Sequence, residues 1–284
     1  MFGVHTALVT PFTSDDRLDT AAYEKLAVRQ LEAGIHGLVP CGTTGEAPTL
    51  EDAEWKTLVA IAVSVAAGKV PVTAGVGTNA TRSTVAKCEQ ALKLGANAGL
   101  LVFPYYNKPN AHGMIAHVKA AADVGLPLVL YHVPGRTAHR LSHELLAELA
   151  SMKGVIAIKE ATGDIRYGAD VMRLTTTPVL SGDDFSFLGL MAHGGTGVIS
   201  VVSNVDPRGT VAVYEHFAAG RTKEAQQAMR RIWDLCGFLF TDTNPVPAKA
   251  ALAALGYCRP EPRLPLGTFK GPAPTGLLTE LGLL

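Results

Sequence analysis

Charge is scarce in this 284-residue chain: only 18% of its residues are Asp, Glu, Lys or Arg, against about 25% in a typical globular protein. Acidic and basic residues balance at 25 each, so the formal net charge is zero. That leaves no electrostatic footprint for nucleic acid or for an anionic membrane. With 48% hydrophobic residues, so little charge also points to surface buried between subunits. Cysteine is sparse as well. Cys41, Cys88, Cys236 and Cys258 lie far apart, with no C-x-x-C and no paired His spacing, as reduced thiols of a cytosolic protein do. The start, Met1-Phe2-Gly3-Val4-His5, lacks the basic region and cleavage site of a secretory signal. The longest apolar stretch, around Leu58 to Ala67, is shorter than the roughly 18 residues that span a membrane. These absences predict a soluble, cytoplasmic protein.

What the chain does have is rhythm. Gly34, Gly68, Gly95, Gly125 and Gly154 recur at intervals of 34, 27, 30 and 29 residues. Each follows a helix-like segment and precedes a short apolar run rich in β-branched residues, and glycine suits the left-handed residue that closes a helix. The runs Ile35–Pro40, Val70–Gly75, Gly99–Pro104, Leu128–Val133 and Val155–Lys159 read as buried parallel strands. Thr6–Thr10, Val179–Ser181 and Val198–Val202 bring the total to eight by about residue 203. Thr49, Thr81 and Ser142 are the expected N-caps. Eight strand–helix units predict a (β/α)8 barrel over residues 1–205, with a doubly wound open sheet as the alternative. From 206 to 284 the helical stretches Arg208–Ala219, Thr222–Phe240 and Pro247–Leu255 predict an extension packed on the barrel.

Barrel active sites lie where strands end and loops begin. In Val155-Ile156-Ala157-Ile158-Lys159, alternation puts Lys159 on the face of Val155 and Ala157, opposite the isoleucines. An amine pointing into the barrel favours its neutral, nucleophilic form and can attack a carbonyl. On the preceding strand Tyr131 shares a face with Val129 and Val133 and can move protons beside that amine. Arg136 follows in a turn, placed to clamp a carboxylate. Cys41-Gly42-Thr43-Thr44-Gly45-Glu46 closes the second strand with two hydroxyls and close-approach glycines, yet has no P-loop lysine. The acidic Asp183–Asp184 pair after strand seven disfavours a phosphate.

Three other patterns carry little. Gly75-Val76-Gly77-Thr78-Asn79-Ala80 matches a dinucleotide fingerprint, but no acidic residue ends the next strand to hold a ribose. His139 and His143 stand four apart without an H-E-x-x-H, and G-x-S-x-G is absent.

Seven segments in order resemble the dihydrodipicolinate synthase branch of the N-acetylneuraminate lyase family: Gly42–Glu46, Pro104–Asn107, Tyr131–Thr137, Ile158–Gly163, Leu180–Asp184, Gly197–Ser200 and Asn244–Lys249. The resemblance implies that Lys159 condenses with pyruvate and that the resulting enamine attacks L-aspartate 4-semialdehyde. The product is 4-hydroxy-tetrahydrodipicolinate, made for lysine and diaminopimelate. It implies a proton relay of Tyr131, Thr43 and Tyr106, the last supplied by a neighbouring subunit, hence a dimer or dimer of dimers. Thr44 would hold the pyruvate carboxylate and Arg136 that of the aldehyde, while Gly182 and the Ile199 carbonyl line the pocket. No metal or cofactor is implied.

His132 stands where the family usually has asparagine, and alternation assigns it to the outward face. At the family's lysine feedback site Asn79 and Tyr105 match, but Ser83 replaces a glutamate while Asp52 and Trp55 replace histidines. Weak or absent lysine inhibition is the implied outcome. The alternatives are a Schiff-base aldolase or dehydratase acting on a 2-oxo sugar acid or a 4-hydroxy-2-oxo acid, and a non-catalytic barrel that binds 2-oxo acids.

Overall fold

A computed structural model describes residues 1–284. Eight parallel strands run Gly3–Ala7 (β1), Gly37–Val39 (β2), Thr73–Gly75 (β3), Ala98–Val102 (β4), Leu128–His132 (β5), Val155–Glu160 (β6), Val179–Ser181 (β7) and Gly197–Ser200 (β8). Their hydrogen-bonded order is β2-β1-β8-β7-β6-β5-β4-β3. A parallel bridge from Leu38 to Val72 and a Gly75 N–H to Pro40 carbonyl bond, 2.9 Å, join the two ends. The ring is closed, which excludes the open sheet. The first strand is Gly3–Ala7, not Thr6–Thr10. Leu8, Val9 and Thr10 belong to the loop above it, where Asn204 and Lys249 bond their backbone.

The periodic glycines occupy left-handed conformations, with φ between 75° at Gly68 and 93° at Gly154, and each turns the chain from a helix into the next strand. The expected caps fare unevenly. Ser142 accepts from the Leu145 N–H, as an N-cap should. Thr49 instead lies in the short Ala47–Thr49 helix, and Glu51 caps Asp52–Ala66 in a capping box with Glu54. Thr81 is the first helical residue after the N-cap Ala80.

Side chains sort into two layers. Ala7, Val39, Leu100, Val129, Tyr131, Ala157, Leu180 and Ile199 fill the barrel interior. The larger layer between strands and helices holds Leu128, Leu130 and Ile158 and continues into Leu235, Leu239, Leu252 and Leu278 of the C-terminal helices. Those helices are Pro207–Ala218, Thr222–Leu239, Val246–Ala254 and a short Thr275–Glu280. The first packs against β1, where the eighth helix of a barrel belongs.

Candidate active site

The strand phase brings Lys159 and Tyr131 together. They are register partners across β5 and β6, and Lys159 Nζ stands 4.2 Å from the Tyr131 ring centroid. Both are 5% exposed. The expected face is right for Ala157, which lies in the inner layer, but not for Val155. Leu128 pairs with Val155 while Val129 pairs with Ala157, so a bulge intervenes and turns Val155 outward. Ile156 is 40% exposed, unlike Ile158, which is fully buried in the outer layer. The bulge lies below Lys159 and leaves its phase intact.

Gly182 makes room for the Lys159 side chain. A Cβ there would sit 2.8 Å from Lys159 Cε and 2.6 Å from the Ala161 methyl, and its N–H holds the Glu160 carbonyl. Gly182→Ala is therefore expected to displace the amine and cut turnover about 100-fold, the usual loss for such a misplacement. Steady-state rates on a variant with native circular dichroism check this; near-wild-type turnover would show that the methyl is absorbed elsewhere.

A cavity of about 250 Å³ opens beside these groups, lined by Thr43, Tyr105, Tyr131, Arg136, Leu100 and Val102 among others. Lys159, Thr44, Gly182 and Ile199 do not line it themselves, against the expectation for the last two; Lys159 meets it through Tyr131. Thr44, 2% exposed, accepts at Oγ1 from Asn244 Nδ2 at 2.9 Å. Arg136 reaches from the turn helix Pro134–Thr137 and donates to the Asn244 carbonyl at 3.2 Å. Ile199 packs in the inner layer with Tyr131. Tyr106 stays apart: it is 89% exposed, at φ 73°, and lines no part of this cavity. Asp184, in the turn after β7, is buried at 2% exposure. Burial pushes its carboxyl up to about 6, although the Ser200 hydroxyl and two N–H groups at the end of β8 bond it.

The glycines that mimic a dinucleotide fingerprint have a packing explanation. A Cβ on Gly75 would lie 1.9 Å from the Cys41 carbonyl oxygen, and one on Gly77 2.3 Å from the Val102 nitrogen. His143 packs against the Tyr167 ring, centroids 4.5 Å apart. His132 is fully buried on the outward face, where its ring stacks on Tyr167 and its Nε2 accepts from the Leu141 N–H at 3.2 Å.

The model of the dihydrodipicolinate synthetase family matches residues 1–275. The chain belongs to the dihydrodipicolinate synthetase family. It is 43% identical to the 4-hydroxy-tetrahydrodipicolinate synthase of Thermodesulfovibrio yellowstonii over 267 residues, 93% of this chain and 91% of that one. The dihydrodipicolinate synthase of Thermotoga maritima superposes with a TM-score of 0.97 at 40% identity, over 100% of this chain and 99% of its own. That of Acinetobacter baumannii, solved complexed with pyruvate, gives 0.96 at 37% identity over the same shares. Membership makes the protein a lyase of the class I aldolase type.

Three buried groups of this family member have no role assigned by sequence: Asn244, Glu46 and Lys249. Lys249 Nζ bonds Glu46 at 2.8 Å and the Thr10 carbonyl at 3.0 Å, with both side chains fully buried. In the sequence the three show only as members of the segments Gly42–Glu46 and Asn244–Lys249, with Lys249 set among alanines in an apolar helix.

Proposed function

We propose that the enzyme condenses pyruvate with L-aspartate 4-semialdehyde through a Schiff base on Lys159. The observation that carries this is the buried amine of Lys159 against the Tyr131 ring, beside a cavity that holds Thr43 and Arg136. Unlike Lys249, Lys159 faces no carboxylate in an ion pair, so its lone pair is free for a substrate carbonyl once the proton leaves.

In this reading Nζ adds to C2 of pyruvate, and the carbinolamine loses water to give an iminium. Loss of a C3 proton gives the enamine, whose carbon bonds to the aldehyde carbon while the aldehyde oxygen takes up a proton. The substrate amine then displaces Lys159 and closes the ring. Tyr131 and Thr43 pass the protons, Thr44 holds the pyruvate carboxylate and Arg136 that of the aldehyde. Gly182 and Ile199 shape the pocket, and no other cofactor takes part. The barrel, with Pro207–Ala218 as its eighth helix, is the catalytic unit, and the helices after it form an extension that braces it. The exposed, left-handed Tyr106 suits insertion into a second subunit's site, so the working form is a dimer or dimer of dimers in the cytoplasm. Borohydride reduction with pyruvate tests the reading: a mass gain on Lys159 supports it, and an unlabelled Lys159 refutes every Schiff-base alternative too. Product analysis with each aldehyde separates the synthase from an aldolase or dehydratase on 2-oxo acids.

L-Lysine is expected to inhibit weakly or not at all. Trp55, in place of a histidine, is committed to the Gly75 carbonyl at 2.8 Å, and Asp52 pairs with Lys87 at 3.7 Å. Loss of a carboxylate partner for the effector's ammonium removes about 1.5–3 kcal/mol. Titration of the activity with lysine checks this, and inhibition at micromolar lysine contradicts it.

A further inference from the structure

Thr44 holds an unspent proton. Its hydroxyl has one hydrogen to donate and lone pairs to accept with. The single hydrogen bond at Oγ1 arrives from Asn244 Nδ2. The lone pair is thus engaged while the hydrogen meets no protein acceptor, in a residue 2% exposed. A buried donor with nothing to bond is costly unless a ligand completes it. Donation from the amide also polarises the hydroxyl and strengthens what it gives in turn.

The segment that carries the amide is fixed from behind, while the amide itself meets only Thr44. Asn244 is 8% exposed, and its Oδ1 is buried without a partner. The bond to Thr44 is therefore what orients its side chain. The Asn244 carbonyl accepts from Arg136, so the second carboxylate clamp is held by main chain and not by the amide. Further along the same segment, Lys249 grips Glu46 of the threonine loop at 2.8 Å. Glu46 in turn accepts the Arg263 N–H at 2.8 Å. The ends of both segments are tied together, which fixes the Asn244–Thr44 distance.

We propose that Asn244 is a positioning residue that sets Thr44 as a dedicated hydrogen-bond donor to the carboxylate of the 2-oxo acid. The proposal rests on the Schiff-base reading above. It separates the two substrates: the side chain of residue 244 governs the 2-oxo acid, and its main chain governs the aldehyde.

Asn244→Ala is expected to raise the KM for pyruvate about tenfold, one hydrogen bond's worth, with the KM for the aldehyde unchanged. Asn244→Asp keeps the shape but offers only acceptors, so the Thr44 hydrogen turns away from the substrate and the KM for pyruvate rises about 100-fold, as for a lost bond to a charged group. In a Thr44→Val background Asn244→Ala adds nothing, because the group it acts through is gone. Unchanged pyruvate KM in Asn244→Asp means that Thr44 donates to residue 244, and overturns the proposal. So do equal rises in both KM values, or losses that add in the double variant. Should Asn244→Ala fail to fold, the isosteric Asn244→Asp carries the test. Borohydride trapping on the wild type runs alongside. An adduct with an unmoved pyruvate KM in the variants sinks this proposal alone; no adduct sinks the Schiff-base reading and this proposal with it.

Discussion

Replacing Lys159 by alanine is expected to lower turnover by about 10⁴-fold or more, as loss of a covalent nucleophile does, and to abolish borohydride trapping of pyruvate. The fold should survive. The Lys159 side chain ends beside an existing cavity, so truncation enlarges accessible space instead of opening a void in the packed layer. Tyr131→Phe gives the contrasting result. It removes a proton carrier but keeps the ring against Nζ, so the adduct still forms while turnover falls about 10²–10⁴-fold. Mass spectrometry of trapped protein and steady-state rates check both. An adduct on another lysine in Lys159→Ala, with activity retained, would move the nucleophile elsewhere.

Lys249→Met is expected to cost stability more than any other single change considered, about 3–5 kcal/mol, because Glu46 is left charged and buried. In the native protein burial pushes the Glu46 carboxyl up and the Lys249 ammonium down, and each is pulled back by the other. Without Lys249 the Glu46 carboxyl rises further. A raised folded-state carboxyl contributes stability that is present at low pH and lost as pH climbs through the folded value. The deficit of Lys249→Met is therefore larger at pH 8 than at pH 5. Adding Glu46→Gln removes the orphan charge, keeps an acceptor for the Arg263 N–H and recovers most of the loss. Urea unfolding at the two pH values measures it. A deficit independent of pH, or no recovery in the double variant, would show that packing and not charge holds this pair.

Much of the barrel is legible in the chain because its signals are local. A glycine after each helix has a left-handed φ that other residues adopt at a cost, so the period shows in composition alone. Strand alternation likewise puts Ala157 and Lys159 on one face and Tyr131 with Val129 on another strand's matching face. Alternation fails where local rules fail. The bulge between Leu128 and Val129 turns Val155 outward, and no residue type in Val155-Ile156-Ala157 announces it. Capping shows the same limit: Thr49 and Glu51 are both able to cap, and the short Ala47–Thr49 helix decides between them.

The sequence by itself determined the strand–helix period, the lysine at a strand end, the inward phase of the tyrosine on the strand before it, and the family. Each signal is read within a short stretch, where backbone geometry alone relates neighbouring side chains, and the family and the period come from such stretches recurring in order along the chain. Only the tertiary structure decided closure, which depends on Leu38 meeting Val72, and the groups that aim the site. Asn244 and Thr44 are 200 residues apart, and Lys249 and Glu46 are 203. No periodicity spans such a distance; the two loops become neighbours because the ring closes and the C-terminal helix Val246–Ala254 packs over its mouth.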